Sequence, residues 1–147
     1  MPNIVLDITN QMIAQVQATL PARSESKYIW SIDANSYRTN KNIFCVRPGS
    51  AINVLGTNRT VTLDQSFEIL LSTEFKNKAD NDTSLDDAIF ALYEDHEKLY
   101  PLMFQRNFNI PRVLVVNQVE LDAPDIDNDN NIVSITARFT VKYRTEG

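Results

Sequence analysis

Alternation of apolar and polar residues is clearest at the end of the chain. In NIVSITARFTVKYRTEG, residues 131–147, Val133, Ile135, Ala137, Phe139, Val141 and Tyr143 fall on one side of an extended strand. Ile132, Ser134, Thr136, Arg138, Thr140 and Lys142 fall on the other, because successive strand side chains point to opposite faces. The first set is apolar and the second largely polar, which predicts a strand in a sheet with one wet face and leaves almost no tail beyond it. A different period governs residues 4–20: Ile4, Ile8, Met12 and Val16, with Val5, Ile13 and Leu20 beside them, make one side of an amphipathic helix that Pro21 ends.

Between these ends the pattern predicts further strands and a second helix. SKYIWSI at 26–32 reads as a strand, with Tyr28, Trp30 and Ile32 on one face, and the polar ANSYRTNKN at 34–42 as an exposed loop. IFCVRPGSAINVLGTNRTVTL gives two short apolar runs around a turn at Arg47-Pro48-Gly49-Ser50, then a second turn at Gly56-Thr57-Asn58. A long strand over 62–78 alternates through Leu63, Phe67, Ile69, Leu71 and Phe75, although Gln65 and Thr73 interrupt its apolar face. Asp82, Thr83 or Ser84 can cap the helix that follows, which runs through Leu85, Ala88, Ile89, Leu92, Tyr93, His96, Leu99 and Tyr100, with Pro101 expected to kink or end it. The strand VLVVNQVELD at 113–122 carries apolar residues on both faces, as a central strand or one covered by another subunit would. The acidic turn APDIDNDNN then leads into the final strand. Strands in runs with short turns imply mainly antiparallel pairing. The expected fold is α+β, one mainly antiparallel or mixed sheet with two main helices on one face, forming a single domain over 1–147.

Composition narrows the function more than it names one. A chain of 147 residues, 43% hydrophobic and 22% charged, has ordinary globular usage, and no apolar run approaches the ~20 residues of a membrane helix. The opening MPNIVLDITNQMIAQ lacks a basic start and a continuous apolar stretch, so the protein is expected to stay where it is synthesised. A net charge of −5 and no basic stripe argue against sequence-specific nucleic-acid binding. His96 is the one histidine and Cys45 the one cysteine, too few for a zinc site of the usual ligands within one chain; His96 reads as a surface or half-buried helical side chain rather than a general base, and Cys45 as a buried thiol. Gly49, Gly56 and Gly147 are too scattered for a phosphate-cradling loop. Asp125, Asp127 and Asp129 alternate as at the start of a calcium loop, yet Asn130 stands where that loop needs glycine and Thr136 where it needs glutamate. No enzyme activity, cofactor or metal is expected.

Taken in order, these segments resemble the tail terminator, or tail completion, proteins of long-tailed bacteriophages. The resemblance is carried by the opening amphipathic helix, IFCVRPGSAINVL with its Arg-Pro, the strand SFEILLSTEF, the helix beginning SLDDAIFALYEDHEKLYPLM, and the two strands around an acidic turn that finish SITARFTVKYRTEG. It covers most of the chain, with a longer 34–42 loop and acidic turn than the smallest members have. The resemblance implies a structural virion protein of the tail or neck, assembled in the host cytoplasm. It implies a homo-oligomeric ring, usually of six subunits, that caps the tail tube, stops its growth and meets the head connector or neck protein on its other face, with DNA only passing through. Another neck component, such as a head-completion or adaptor protein, is the alternative, followed by a small non-catalytic binding module.

In such a ring, acidic loops facing the channel would repel DNA phosphates, and Asp80, Asp82, Asp125, Asp127 and Asp129 are the candidates for the lumen or ring surface. Isolated exposed charges contribute roughly 0–1 kcal/mol per pair, so subunit contacts should centre on apolar groups. Tyr37, Phe104, Phe108 and Ile110 lie in connectors without an obvious local core and are the candidates; folding back onto the domain is the alternative for them.

Overall fold

A computed structural model describes residues 3–25, 42–56, 61–75, 83–103, 110, 112–127 and 131–145. Helix α1 spans Ile4–Thr19; Asn3 caps it, its side chain accepting from the Leu6 amide at 3.1 Å, and Leu20 closes it by donating to the Val16 carbonyl. The buried residues Ile4, Ile8, Met12 and Val16 are four apart, the spacing read from the sequence. After β1 (Ser24–Glu25), strands β2 (Ile43–Gly56) and β3 (Val61–Glu74) form an antiparallel pair. Helix α2 (Thr83–Met103), β4 (Val113–Leu121), the short β5 (Asp125–Asp127) and β6 (Ile132–Arg144) complete the described elements.

The fold is α+β, with a mixed sheet in the order β1-β2-β3-β6-β4; β5 pairs with one end of β6. Among the described strands only the β1–β2 contact is parallel. One core joins both helices to one side of the sheet: Phe44 and Val46 of β2, Phe67, Ile69 and Leu71 of β3, and Val133 through Tyr143 in alternate positions of β6. From α1 it takes Ile4, Ile8, Met12 and Val16, and from α2 it takes Ala88, Leu92 and Leu99. Side chains such as Phe139, Phe67 and Leu92, at 2% exposure or less, each contribute about 1.5–3 kcal/mol through burial. The last strand follows its sequence pattern, with 133, 135, 137, 139, 141 and 143 all buried. It is central, hydrogen-bonded to β3 on one side and to β4 on the other.

Four expectations need correcting. Arg47-Pro48-Gly49-Ser50 is not a turn between strands: β2 runs through it, and the extra residues form a bulge between Pro48 and Ala51. Gly49 lets the strands approach closely there, because a Cβ would meet Ser66 Oγ and the hydroxyl would have to turn away. Gln65, which looked like a flaw in an apolar face, is buried and supports the bulge by donating to the Gly49 carbonyl at 2.6 Å.

Pro101 does not end α2, which continues to Met103; in the last turn a proline forfeits a single intrahelical bond. The helix already includes Thr83 and Ser84, and Asp82 lies outside the described residues. The acidic turn is partly a strand, since Asp125–Asp127 pairs with Ile132–Ser134, and Asn131 makes the left-handed turn residue at φ 56°. Finally, β4 is the last strand in the sheet order and not a covered central one: Val113 and Val116 are buried, but Leu114 and Val115 remain 44% and 43% exposed. The expected strand at 26–32 and loop at 34–42 lie outside the described residues.

Candidate functional surface

The face of the sheet turned away from the helices is organised around charge. Register places Arg47 opposite Glu68, Glu68 opposite Arg138, and Arg138 opposite Glu120, so one row crosses β2, β3, β6 and β4 with alternating sign. Glu68 is its hinge. Its Oε2 accepts from Arg47 Nε at 3.1 Å and Nη2 at 2.7 Å, and its Oε1 accepts from Arg138 Nη1 at 2.9 Å. Arg138 also donates through Nη2 to Asp122 at 2.9 Å and lies 3.9 Å from Glu120. The Asp122 hydrogen bond, followed by the Glu68 charge, pushes the Arg138 pKa further above its ordinary value and holds the guanidinium charged. Toward the β5 end the same face becomes apolar, with Ile43, Cys45 and Ile132 buried and Leu70 against them. Burial pushes the Cys45 thiol up to about 11, which leaves it protonated and a poor nucleophile near neutral pH.

On the helix side, Arg23 ties four segments together. Its Nε donates to Asp95 of α2 at 2.9 Å, Nη1 to the carbonyls of Ser72 at 2.6 Å and Ile43 at 3.3 Å, and Nη2 to Thr73 Oγ1 at 2.8 Å. With 6% exposure and its donors committed to protein, it is a structural cation. A cleft of about 240 Å³ opens beside it, lined by Ala22, Asn42, Thr73, Ala91 and Asp95 as well as Arg23. That cleft offers a ligand no strong free donor, since Arg23 and Asp95 already satisfy each other.

Of the residues singled out as acidic surface, Asp125 is exposed and Asp127 half-buried, on the same side of β5; Asp80, Asp82 and Asp129 lie outside the described residues. Ile110 is half-buried and packs against the main core, while Tyr37, Phe104 and Phe108 lie outside the described residues. His96, expected at the surface or half-buried, is instead buried on α2. Among the described residues no group of three or more His, Cys, Asp or Glu side chains is arranged to hold a metal ion, and no helix is long and apolar enough to cross a membrane.

No protein-family model matches the chain, and no curated protein matches it. The charged row was missed in the sequence because its members lie far apart along the chain. Alternation places Arg138 on the polar face, but only the pairing register reveals that Glu68 stands beside it. Arg23 carried no local signal at all.

Proposed function

We propose that this protein is a structural subunit of the tail terminator type, assembling as a ring that caps a tail tube and presents its other face to the head connector. The observation that supports the reading best is the construction of the sheet: helices cover one side, and among the described strands β4 stands last in the order with Leu114 and Val115 exposed. Such a unit suits lateral repetition better than enclosure of a substrate. The segment order behind the family resemblance is retained in α1, β2, β3, α2, β4 and β6.

The acidic balance adds a physical advantage to that role. At −5 per chain, six copies carry a formal charge of about −30, which repels DNA phosphates and opposes adhesion during passage. Exposed Asp125 is a member of that acidic surface.

Native mass across a concentration series, with electron microscopy of the oligomer and of mixtures with tail tubes, tests the proposal. A closed ring that caps tube ends is expected. A protein that forms no ring and leaves tube ends uncapped would refute it.

A further inference from the structure

Charge is polarised along β4, which stands last in the sheet order among the described strands. Where the strand begins, Arg112, Lys142 and Arg144 lie together: the Arg144 amide donates to the Arg112 carbonyl at 2.9 Å, and Lys142 pairs with Val115. Where it ends, Glu120 is 62% exposed, and Asp122 and the exposed Asp125 of β5 follow it. Between these ends the strand presents the exposed side chains of Leu114, Val115 and Asn117.

Such a strand is complementary to itself when reversed. Rotation by half a turn about an axis perpendicular to the sheet brings β4 antiparallel to the β4 of a second copy and keeps both helix layers on the same side. The register with β6 supplies the spacing. Arg112 lies level with Arg144, Val116 with Val141 and Glu120 with Arg138, so each charge is three β6 residues from Val116. A twofold axis at Val116 therefore sets Arg112 of each copy opposite Glu120 of the other. Val113 is buried on the core side, and alternation puts residue 112 on the opposite, charged face that also carries Glu120. The same axis sets the exposed Val115 opposite Asn117. Both irregularities of β4, between Val113 and Val115 and between Gln118 and Glu120, lie outside residues 115–117, so the centre of the strand keeps regular geometry.

We infer that two copies of this chain pair through β4, antiparallel about a twofold axis at Val116, with Arg112 of each beside Glu120 of the other. A second copy is the occupant because this strand, basic at one end, acidic at the other and partly apolar between, matches its own reverse. A parallel placement would set like charges together. The bulges limit the backbone ladder, so side-chain complementarity selects the register. An isologous contact closes at two copies and does not repeat around a ring. The pairing therefore stands or falls independently of the function proposed above, and a ring would join its subunits through other surfaces.

Disulfide trapping tests the pairing. Directly opposed antiparallel residues have Cα atoms about 4.5–5.5 Å apart, within disulfide reach. In a Cys45→Ala background, Arg112→Cys alone and Glu120→Cys alone should each run as monomer on non-reducing gels after mild oxidation. An equimolar mixture should give covalent dimer, and the double variant should give dimer and nothing larger. Circular dichroism establishes that each variant is folded. Charge exchange supplies an independent readout by sedimentation: Arg112→Glu and Glu120→Arg should each weaken self-association about fivefold at low salt, the equivalent of about 1 kcal/mol, and the two together should restore it.

Covalent dimer from either single cysteine variant, a ladder beyond dimer from the double one, or no recovery on charge exchange overturns the pairing. Rings in the microscope without the mixed cross-link overturn the pairing and leave the ring proposal standing. A cross-linked pair from a protein that neither forms rings nor caps tubes supports the pairing and sinks the ring proposal.

Discussion

Replacing Glu68 with glutamine isolates the charged row without changing side-chain shape. The carboxylate accepts from Arg47 at 3.1 and 2.7 Å and from Arg138 at 2.9 Å, using both oxygens. An amide has one oxygen, so one arginine would face an NH₂ group and lose its acceptor. Charged hydrogen bonds contribute about 1.5–3 kcal/mol when sheltered, and exposed ion pairs about 0–1 kcal/mol. Glu68 is 17% exposed, but Arg47 and Arg138 are 30% and 43% exposed, so solvent screens the outer ends of both pairs. The expected loss in Glu68→Gln is therefore about 1–2 kcal/mol. Urea unfolding should show a lower midpoint at unchanged slope, by about 0.5–1 M for a slope near 2 kcal/mol/M. The difference should shrink in 1 M salt, where the Debye length falls to about 3 Å. A double-mutant cycle with Arg138→Met should return a coupling of about 1 kcal/mol. A loss below about 0.3 kcal/mol, or one indifferent to salt, would show that the row carries no electrostatic stabilisation.

Three further outcomes follow from buried or crowded positions. Arg23→Met should cost about 3–5 kcal/mol, because Asp95 and two buried carbonyl acceptors lose their partner; a loss under about 1 kcal/mol in urea unfolding contradicts the structural role. Gly49→Ala forces Ser66 Oγ away from the Ser50 carbonyl it binds at 3.0 Å and should cost about 1 kcal/mol. In a Ser66→Ala background the same change should cost clearly less, and equal losses in the two backgrounds would refute the collision.

The third concerns alkaline pH. Burial raises the Cys45 pKa from 9.0 to about 11, so folding favours the protonated thiol. That stability is fully present below pH 9 and is lost as pH rises toward 11, amounting to about 2–3 kcal/mol. Cys45→Ala should flatten this part of the stability profile, and native protein at pH 8 should resist thiol reagents until unfolded. A native thiol that reacts as fast as the unfolded one would contradict its burial.

What the sequence determined were the features that depend on near neighbours. Ile4, Ile8, Met12 and Val16 specify a helical face because four residues make about one turn, and the alternation from Val133 to Tyr143 specifies a strand with one buried side. Turn residues were visible too, but whether Pro48–Gly49–Ser50 ends a strand or bulges within one depends on what lies across from it. Gln65 and Ser66 supply that answer from a different strand.

Tertiary structure alone decided the position of β4 and the partners of the charges. Apolar residues on both faces of VLVVNQVEL suit a central strand, an edge strand or a subunit contact equally, because sequence periodicity reports faces and not edges. Arg47, Glu68, Arg138 and Glu120 become one row only after three antiparallel registers are set. Arg23 becomes a buried tie only when α2 brings Asp95 to it, 72 residues along the chain. Local pattern fixes which way a side chain points; the fold decides what it meets.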